Sequence, residues 1–543
     1  MICGFKMPVI NIEFDDLNRM LKEPLDSESF SKIISQIGAD PDEINEKDAI
    51  IEFFPDRPDL LSTEGVARAI RAFTEQPLGL VDYKTNAATT HMVVSPNVLE
   101  VRPCILGGIV RGIKLDDVAI KCLMELQEKL HVTLGRKRNK VSIGIHDLGK
   151  LKGPFNYTTC SPHEPAFVPL QKDYEMTPEE ILKEHPKGIE YAHLLEEFKE
   201  YPLITDSKDE VVSMPPIING ALTTITEKTT EVLIDVTGLD QNAVEACLNI
   251  VAAALVERGG EIEQLELRYP TEKIIAPQME PKMHKIENDY LINLLGFDPE
   301  NFAIFKAFRK CAMEPDLKDG TWHVKTPAYR ADILHPIDLL EEVAIGLGYD
   351  NLPEHLPKET RFGDALKSRK LEKNCRETML GIGFQEVVTL TLTSTKMLHE
   401  STGRESNYEA EVSNPVTEDY HMLRSSILPN LIELLKSNRH RELPQRIFEV
   451  GQVVIEHSNR TSLAWIELAS KSTFSSARST AEIISKRLEL NGTPTEDDDP
   501  LFIPGRCVQI KTENATLKYG EIHPQTLEKY EISYPAIGGE IIW

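Results

Sequence analysis

The spacing of apolar residues along the chain predicts amphipathic helices that alternate with short strands. Within 26–41 the apolar positions follow the i, i+3, i+4, i+7 pattern of one helix face, and they are Phe30, Ile33, Ile34 and Ile37. Gly38 follows where a helix C-cap is expected. A stronger stripe, which ends at Gly259, consists of Val244, Cys247, Leu248, Val251 and Leu255. Runs such as "DAIIEFF", "KVSIGIHDL" and "EVLIDVTGL" predict strands between the helices.

The order of these elements predicts a multidomain α+β protein. Residues 1–85 alternate helix and strand, which predicts an N-terminal α/β domain, and small polar residues at 85–90 predict a linker. Residues 91–270 predict an α+β domain, and residues 271–350 a mainly helical, winged-helix-like domain. In 358–543 long strand runs with flanking helices predict a large antiparallel sheet. The length of 543 residues agrees with several domains, because a single core rarely exceeds about 250–300 residues.

The charge balance and the distribution of apolar residues argue against some classes of binding partner. Lys and Arg number 60 against 87 Asp and Glu, a net charge of −27, which argues against a broad surface for duplex DNA. No apolar run approaches the roughly 20 residues that cross a bilayer, and the amino terminus lacks the apolar core of a signal peptide. The eight cysteines are scattered, with no Cys-x-x-Cys pair. We therefore expect a reduced, cytoplasmic protein that binds neither membrane nor DNA.

An acidic stretch, "YRADILHPIDLLEEVAIGLGYDNLP" at 329–353, sets four carboxylates close together, and they are Asp332, Asp338, Glu341 and Glu342. If a helix begins at Pro336 or Ile337, the last three acids share one face, and the first can fold back toward them. An all-oxygen set of this kind suits a hard cation such as Mg²⁺. Acids in a first turn are also favoured by the helix dipole, by roughly 0.3–1 kcal/mol each, without any metal. Spacing alone leaves both interpretations open.

A second charged group lies in "PDRPDLL", where Asp56, Arg57 and Asp59 follow one another closely. These residues are either a functional cluster or part of a rigid corner fixed by Pro55 and Pro58. The two prolines favour the corner.

Four segments together resemble the beta subunit of phenylalanyl-tRNA synthetase, in the form found in archaea and eukaryotes. They are the acidic stretch, "FFPDRPDLLSTEGVARAI", "PPIING" with "LIDVTG", and "LRSSILPNLIELLKSNRHRELPQRIFEVG". The likeness covers nearly the whole chain. It implies a subunit of a phenylalanine–tRNA ligase of class II, with an aminoacyl-tRNA editing domain at 91–270 and a catalytically degenerate class II synthetase-like sheet domain at 358–543.

The resemblance also implies partners and a cofactor. The expected assembly is an α₂β₂ heterotetramer with the alpha subunit, in which ATP and phenylalanine bind to the alpha subunit and the complex binds tRNA(Phe). In that family the acidic stretch binds Mg²⁺ close to the alpha subunit. The ligand set carried over to this chain is Asp332, Asp338, Glu341 and Glu342.

Editing of mischarged tyrosyl-tRNA is the activity that the resemblance implies for the second domain. Such editing is needed because a phenylalanine pocket rejects an added hydroxyl only imperfectly. In "SMPPIINGAL", Pro215 and Pro216 fix a bend, Gly220 permits close backbone approach, and Asn219 offers both a donor and an acceptor. We expect Asn219 to contact the substrate or position water. His146 in "SIGIHDL" is the second catalytic candidate, and a structural histidine at a strand end is the alternative.

The carboxyl-terminal domain lacks the signatures of aminoacylation. Arg446 and Glu449 in "QRIFEVG" stand where class II motif 2 is expected, but their spacing departs from Arg-x-Glu, and the closing "AIGGEIIW" has no following Arg. The class I signatures, the P-loop and the Gly-x-Gly-x-x-Gly fingerprint are also absent. We expect the isolated chain to show no phenylalanine-dependent ATP–pyrophosphate exchange. The alternative function is a free-standing RNA-binding or trans-editing protein of the same ancestry.

Overall fold

A computed structural model describes residues 8–76, 78–354, 356, 363–405 and 410–543. The chain forms two compact units, which divide between residues 356 and 357. Within the described ranges, no helix combines the length and the hydropathy that a membrane span requires.

The first unit begins with a small antiparallel sheet and three helices. Their bounds are β1 (Val9–Glu13), α1 (Phe14–Met20), α2 (Ser27–Ile37), β2 (Asp40–Ile44), β3 (Asp48–Glu52) and α3 (Thr63–Phe73). The strand order is β1-β3-β2. Helix α2 is confirmed as predicted from the sequence, because the Asp26 carboxylate accepts from the Ser29 N–H at its start and Gly38, with φ 97°, follows its end.

A large mixed sheet with helices forms the central domain. Its elements are β4 (Thr85–Asn86), β5 (His91–Val94), β6 (Cys104–Arg111), α4 (Asp117–Val132), β7 (Val141–Asp147), β8 (Phe155–Cys160), α5 (Pro178–Glu184), α6 (Pro186–Tyr191), β9 (Tyr201–Thr205), β10 (Val211–Met214), β11 (Ile218–Asn219), β12 (Glu231–Gly238), α7 (Gln241–Glu257), β13 (Glu261–Arg268) and β14 (Lys273–Ala276). The main strand order is β11-β10-β9-β8-β5-β13-β6-β12-β7, and both β4 and β14 also pair with β13.

The structure of this domain tests two predictions from the sequence, the linker at 85–90 and the apolar stripe of α7. The linker expected at 85–90 was wrong at its first two residues, because Thr85 and Asn86 form β4 and pair in parallel with β13. The apolar stripe of α7 is confirmed, since all five of its predicted members are fully buried against β6 and β12. Each such side chain contributes about 1.5–3 kcal/mol when it leaves water, so α7 anchors the sheet.

The third domain has a three-stranded antiparallel sheet of order β15-β17-β16 and three helices. The last of the three helices follows the sheet along the chain. The bounds are β15 (Lys282–Glu287), α8 (Asn288–Leu295), α9 (Asn301–Lys310), β16 (Glu314–Lys318), β17 (Thr321–Thr326) and α10 (Pro336–Leu347). Its own core contains Trp322 and Phe308 against Leu339 of α10. Helix α10 begins at the proline predicted from the sequence.

The second unit is a seven-stranded sheet with helices on both faces. Its elements are α11 (Lys367–Gly381), β18 (Gln385–Glu386), β19 (Leu392–Thr393), β20 (Met422–Leu423), α12 (Leu428–Ser437), β21 (Gln445–Ile455), β22 (Ser458–Leu468), α13 (Phe474–Arg487), β23 (Pro494–Glu496), β24 (Phe502–Lys511), β25 (Thr516–Ile522), α14 (Pro524–Lys529) and β26 (Ala536–Ile542). The order is β18-β21-β22-β26-β25-β24-β23, and only the edge pair β18–β21 among these is parallel. The predicted large sheet with flanking helices is therefore confirmed.

One predicted strand of this unit is broken. The β-branched and apolar residues of the run "QEVVTLTLT" at 385–393 predict one strand, but the run contains only the short strands β18 and β19. Between them the N–H and hydroxyl of Thr389 both donate to the Glu449 carboxylate, at 3.1 and 2.6 Å. A side chain thus replaces the backbone partner that a continuous strand needs.

Candidate functional site

A cavity of about 200 Å³ opens in the central domain. One wall is helix α4, a second comes from β7 and β12, and a third is the segment 213–220 around β11. The lining is more apolar than polar, with a few convergent polar groups. A cavity of this size takes a group no larger than a single side chain, because sites for drug-sized ligands occupy about 300–1,000 Å³.

One of the two acids that line the cavity is Asp235, which is 2% exposed. It lies on β12 directly opposite Gly144 of β7. A Cβ atom at position 144 would stand 2.1 Å from Asp235 Oδ2 and 2.6 Å from His146 Nε2. Only glycine therefore leaves room for this carboxylate and its histidine partner.

His146 lies behind the cavity wall and is fully buried. Its Nε2 is 2.6 Å from Asp235 Oδ2, and its Nδ1 is 2.8 Å from Thr223 Oγ1. The Thr223 hydroxyl is in turn 3.1 Å from the carbonyl oxygen of Gly220. The histidine thus connects two residues that line the cavity and fixes the orientation of the carboxylate, but it does not line the cavity itself.

The segment 213–220 brings Ser213 and Asn219 together, since they are paired across β10 and β11. Ser213 is 2% exposed, and its hydroxyl has no hydrogen-bond partner among the described residues. Asn219 is half-buried and lines the cavity, as its sequence context suggested. A Cβ at Gly220 would lie 2.6 Å from the Val211 carbonyl oxygen, so the predicted close backbone approach is confirmed.

An ion pair borders the cavity on the side of α4. Arg138 donates to Glu128 Oε1 at 2.8 Å and to the carbonyl oxygen of Ile217 at 2.9 Å. The contact of Glu128 with His131, at 3.5 Å, and the charge of Arg138 lower the pKa of Glu128 to about 2. The pair therefore stays charged at neutral pH and ties α4 to the segment around β11.

The sequence analysis named Asn219 and His146, and missed Asp235 and Ser213. A signal for Asp235 was present, because it is an acid in the otherwise apolar strand run "EVLIDVTGL" and such a residue is rarely buried without a partner. Nothing in the local sequence marks Ser213.

The acidic stretch forms a separate cluster in the third domain, around Arg330. The guanidinium of Arg330, which is 4% exposed, donates to Asp332 at 2.6 and 2.9 Å and to Glu342 at 2.5 and 3.0 Å. Arg57 pairs with Asp59 at 2.9 Å and lies 3.8 Å from Glu342. The corner "PDRPDLL" therefore packs against the acidic stretch, and arginines neutralise two of its four carboxylates.

The other two acids have different surroundings. Asp338 Oδ2 accepts from the N–H groups of Leu334 and His335, at 2.7 and 2.6 Å, in a capping box at the start of α10. Partial burial, followed by the negative charges of Glu342 and Asp56, raises the pKa of Glu341. Among the described residues neither acid has an ion-pair partner, but Asp338 is compensated by its two backbone N–H donors and Glu341 has mainly negative charges around it.

The fit of this cluster to a hard cation is partial. Among the described residues, no three His, Cys, Asp or Glu side chains form a ready metal site. A carboxylate offers about four acceptor positions, so Asp332 and Glu342 keep capacity beyond their bonds to Arg330. Mg²⁺ needs only one or two carboxylates with water. Glu341 and Asp338 are therefore the two acids best suited to hold it.

Comparison with known protein families matches four segments of the chain. Residues 7–76 match the Phe-tRNA synthetase beta subunit B1 domain, and residues 111–269 match the B3/4 domain. Residues 284–349 match the tRNA synthetase B5 domain, and residues 352–543 match the Phenylalanyl tRNA synthetase beta chain CLM domain. These matches define the class of the protein as a subunit of an aminoacyl-tRNA synthetase.

Full-length relatives give the family. The chain is 40% identical to the phenylalanine–tRNA ligase beta subunit of Archaeoglobus fulgidus over 539 residues, which is 98% of both chains. It is 39% identical to the beta subunit of Methanocaldococcus jannaschii, over 98% of this chain and 100% of that one. The crystal structure of an N-terminal fragment of the Pyrococcus horikoshii phenylalanyl-tRNA synthetase beta subunit matches with a TM-score of 0.61 at 36% identity, covering 62% of this chain and 99% of that one. The chain belongs to the family of phenylalanine–tRNA ligase beta subunits.

Proposed function

We propose that the cavity of the central domain hydrolyses mischarged tyrosyl-tRNA. A ligase that selects phenylalanine binds tyrosine with a penalty too small for accurate translation, because a hydrophobic pocket cannot strongly reject one added hydroxyl. A second site with a polar group at its wall can instead select for that hydroxyl. The single observation that carries the proposal is a side-chain-sized cavity that contains a buried carboxylate, Asp235, and the hydroxyl of Ser213, which has no partner in the part of the chain that the structure describes.

The proposed reaction is attack of water on the carbonyl carbon of the ester between tyrosine and the terminal ribose. The C–O bond to the ribose breaks, one proton of the water ends on the ribose hydroxyl, and free tyrosine leaves. Asp235 orients the water through the acceptor capacity that its bond to His146 leaves open. His146 is then a positioning residue, and Thr223 holds its other nitrogen.

Two further side chains are assigned to the substrate. Asn219 carries both donors and an acceptor and lines the cavity, so we assign it to the ester or to the attacking water. Ser213 is assigned to the phenol hydroxyl of tyrosine. Phenylalanine, which lacks that hydroxyl, leaves the serine without a partner, and the cavity then prefers the wrongly attached residue.

Aminoacylation itself is assigned to the alpha subunit of an α₂β₂ complex, which binds ATP, phenylalanine and, with this chain, tRNA(Phe) in the cytoplasm. This assignment is supported by the two charged residues at the motif 2 position, because both form ion pairs within this chain. Arg446 pairs with Glu467 at 2.9 Å, and the buried Glu449 pairs with Arg424 at 2.7 Å. The charge of Arg446, the only cation of the two, is therefore already matched by a carboxylate rather than available to a nucleotide phosphate.

The alternative of a free-standing RNA-binding or trans-editing protein is disfavoured by exposed apolar side chains in the second unit. Val388 is 87% exposed and Leu390 is 59% exposed, and only Thr389 separates them along the broken strand run. Exposed apolar residues that cluster in this way are typical of a protein–protein contact. They support the assignment to a complex.

For the acidic stretch we propose a structural Mg²⁺. Glu341 and Asp338 hold the ion together with water, while Asp332 and Glu342 remain paired with Arg330. The ion supplies the positive charge that Glu341 lacks. Its role is to stabilise the third domain, and no step of the editing reaction involves it.

The test of the editing proposal is deacylation of tyrosyl-tRNA(Phe) by the complex of this chain with its alpha subunit. Replacing Asn219 by Ala should lower the deacylation rate by about 100–1,000-fold, the range typical of removing one donor that stabilises the transition state. Phenylalanine-dependent ATP–pyrophosphate exchange should be unchanged, which shows that the complex is intact. Hydrolysis at the wild-type rate by the Asn219→Ala complex would remove Asn219 from the mechanism, and a wild-type complex that does not hydrolyse tyrosyl-tRNA would reject the proposed function.

A further inference from the structure

The segment 135–140, "GRKRNK", is called here the basic turn. It carries four cationic side chains and no acid, in a chain whose net charge is −27. It directly precedes β7, the strand that supplies one wall of the cavity. A local positive charge in a strongly acidic protein indicates a specific anionic ligand rather than a general charge bias.

The backbone of the basic turn is held in an unfavourable conformation. Arg136, Lys137 and Arg138 have φ angles of 47°, 55° and 65°, a region that residues with a Cβ rarely occupy, and here they occupy it in succession. Buried Arg102 maintains the shape by donating to the carbonyl oxygens of Arg138 and Asn139, at 3.1 and 3.2 Å. Strain maintained by surrounding structure is found mainly where function requires a fixed geometry.

The basic turn is rigidly joined to the cavity through Arg138. This side chain is 7% exposed, lines the cavity and donates to the carbonyl oxygen of Ile217 in the opposite wall. Its own charge is matched by Glu128. A second cation at the cavity, Lys187, is matched by Glu190 at 3.1 Å.

Arg136 and Lys137 differ from these paired cations. Both are exposed, and neither side chain forms a hydrogen bond or an ion pair with any residue in the described part of the chain. The turn therefore buries one arginine to fix its position and presents the two preceding cations to solvent, close to the cavity.

We propose that Arg136 and Lys137 bind the phosphodiester backbone at the single-stranded 3′ end of tRNA while its terminal aminoacyl group occupies the cavity. The inference rests on the proposed editing function. The cavity, at about 200 Å³, has room for the aminoacyl group and not for a chain of nucleotides, so the RNA that carries this group must run outside. Phosphates of the RNA that pass beside β7 can contact Arg136 and Lys137. Because the turn is already fixed, these two cations are in place without a cost in backbone ordering when the RNA binds.

The test replaces both cations by Asn in the complex with the alpha subunit. Asn removes the charge and tolerates the left-handed conformation, so the turn keeps its shape. We expect Arg136→Asn with Lys137→Asn to raise the KM of tyrosyl-tRNA deacylation about tenfold and to leave kcat unchanged. The dependence of log(kcat/KM) on log[salt] should become less steep by roughly 0.7 per lost phosphate contact. Swapping the two cations, as Arg136→Lys with Lys137→Arg, should restore both values.

A matched control is Lys199→Asn with Lys208→Asn, which removes two exposed lysines of the same domain that do not line the cavity. Equal effects of the two pairs, or a wild-type salt dependence in the Arg136 and Lys137 variant, would overturn the inference.

A second readout separates this inference from the editing proposal. It uses tRNA with tyrosine in a non-hydrolysable amide link and a fluorescent 2-aminopurine as the penultimate nucleotide. The fluorescence change on binding the wild-type complex should be mostly lost with the Arg136 and Lys137 variant. If the wild-type complex does not hydrolyse tyrosyl-tRNA, the editing proposal fails, and an unchanged fluorescence response in the variant would then reject the phosphate contact independently.

Discussion

The proposed editing cavity and the Arg330 cluster both contain buried polar residues, but they differ in whether those residues have hydrogen-bond partners. In the Arg330 cluster, Asp332 and Glu342 each accept two or more hydrogen bonds from one guanidinium. In the cavity, the Ser213 hydroxyl is left without a partner among the described residues. Satisfied groups hold a fold together, whereas an unsatisfied group at a cavity wall is ready for a ligand.

This difference shows that a cluster of acidic residues in a sequence is weaker evidence for a ligand site than a buried polar group without a hydrogen-bond partner in the structure. The acidic stretch drew attention because four carboxylates lie close together in sequence. Its neighbour Arg330 belongs to the same quoted run and neutralises two of them. The cavity has two carboxylates, and Asp235, the one that no arginine of the described residues neutralises, faces space that a substrate can occupy.

The largest expected effect that separates the two regions is on stability. Arg330→Met leaves the buried Glu342 and the half-buried Asp332 without the cation that bonds to them directly, and we expect the free energy of unfolding to fall by about 3–5 kcal/mol. Ser213→Ala removes a buried hydroxyl that bonds to nothing described, so the free energy of unfolding should change by at most about 0.5 kcal/mol. Urea unfolding of the full chain, followed by tryptophan fluorescence, measures both. Similar losses for the two variants would show that the regions do not differ as claimed.

A smaller effect concerns Glu341 and the proposed ion. Because its pKa is raised in the folded state, ionised Glu341 opposes folding above that pKa, and the penalty disappears as the pH falls toward the ordinary value of 4.5. Without Mg²⁺ at pH 7, Glu341→Gln should therefore stabilise the chain by roughly 0.3 kcal/mol, a gain kept small by solvent screening. The gain should vanish near pH 4.

With Mg²⁺ added, the wild-type chain should become more stable than the Glu341→Gln variant. The wild-type carboxylate then has a cation beside it, whereas the neutral glutamine binds the ion weakly. The measurement is the thermal midpoint of both proteins with and without Mg²⁺, with Ca²⁺-free buffer and chelator as the reference. An equal Mg²⁺ response in wild type and variant would exclude Glu341 as a ligand.

The regular elements were largely predictable because their signals are local. Helix α2 had an apolar face and a glycine directly after its end, and both signals lie within a dozen residues. Helix α10 began at the expected proline for the same reason. The run at 385–393 was not predictable, since Thr389 bonds to Glu449, a residue 60 positions away.

The cavity was predictable only in part for the same physical reason. Asn219 and Gly220 belong to one recognisable segment, whereas Asp235, Ser213 and Arg138 come from separate elements that only the sheet brings together. His146 was identified as a candidate, but its position behind the wall depends on the register of β7 with β12. Pairing of that kind leaves no trace in local periodicity.

The central claim is that the cavity around Asp235 is the hydrolytic editing site, and the most direct test is single-turnover deacylation of tyrosyl-tRNA(Phe) by the complex carrying Asp235→Asn. Asn preserves the size of the side chain but removes the charge that orients water. We expect a loss of about 100-fold or more in the deacylation rate with aminoacylation by phenylalanine unchanged. Wild-type deacylation by the Asp235→Asn complex would contradict the account.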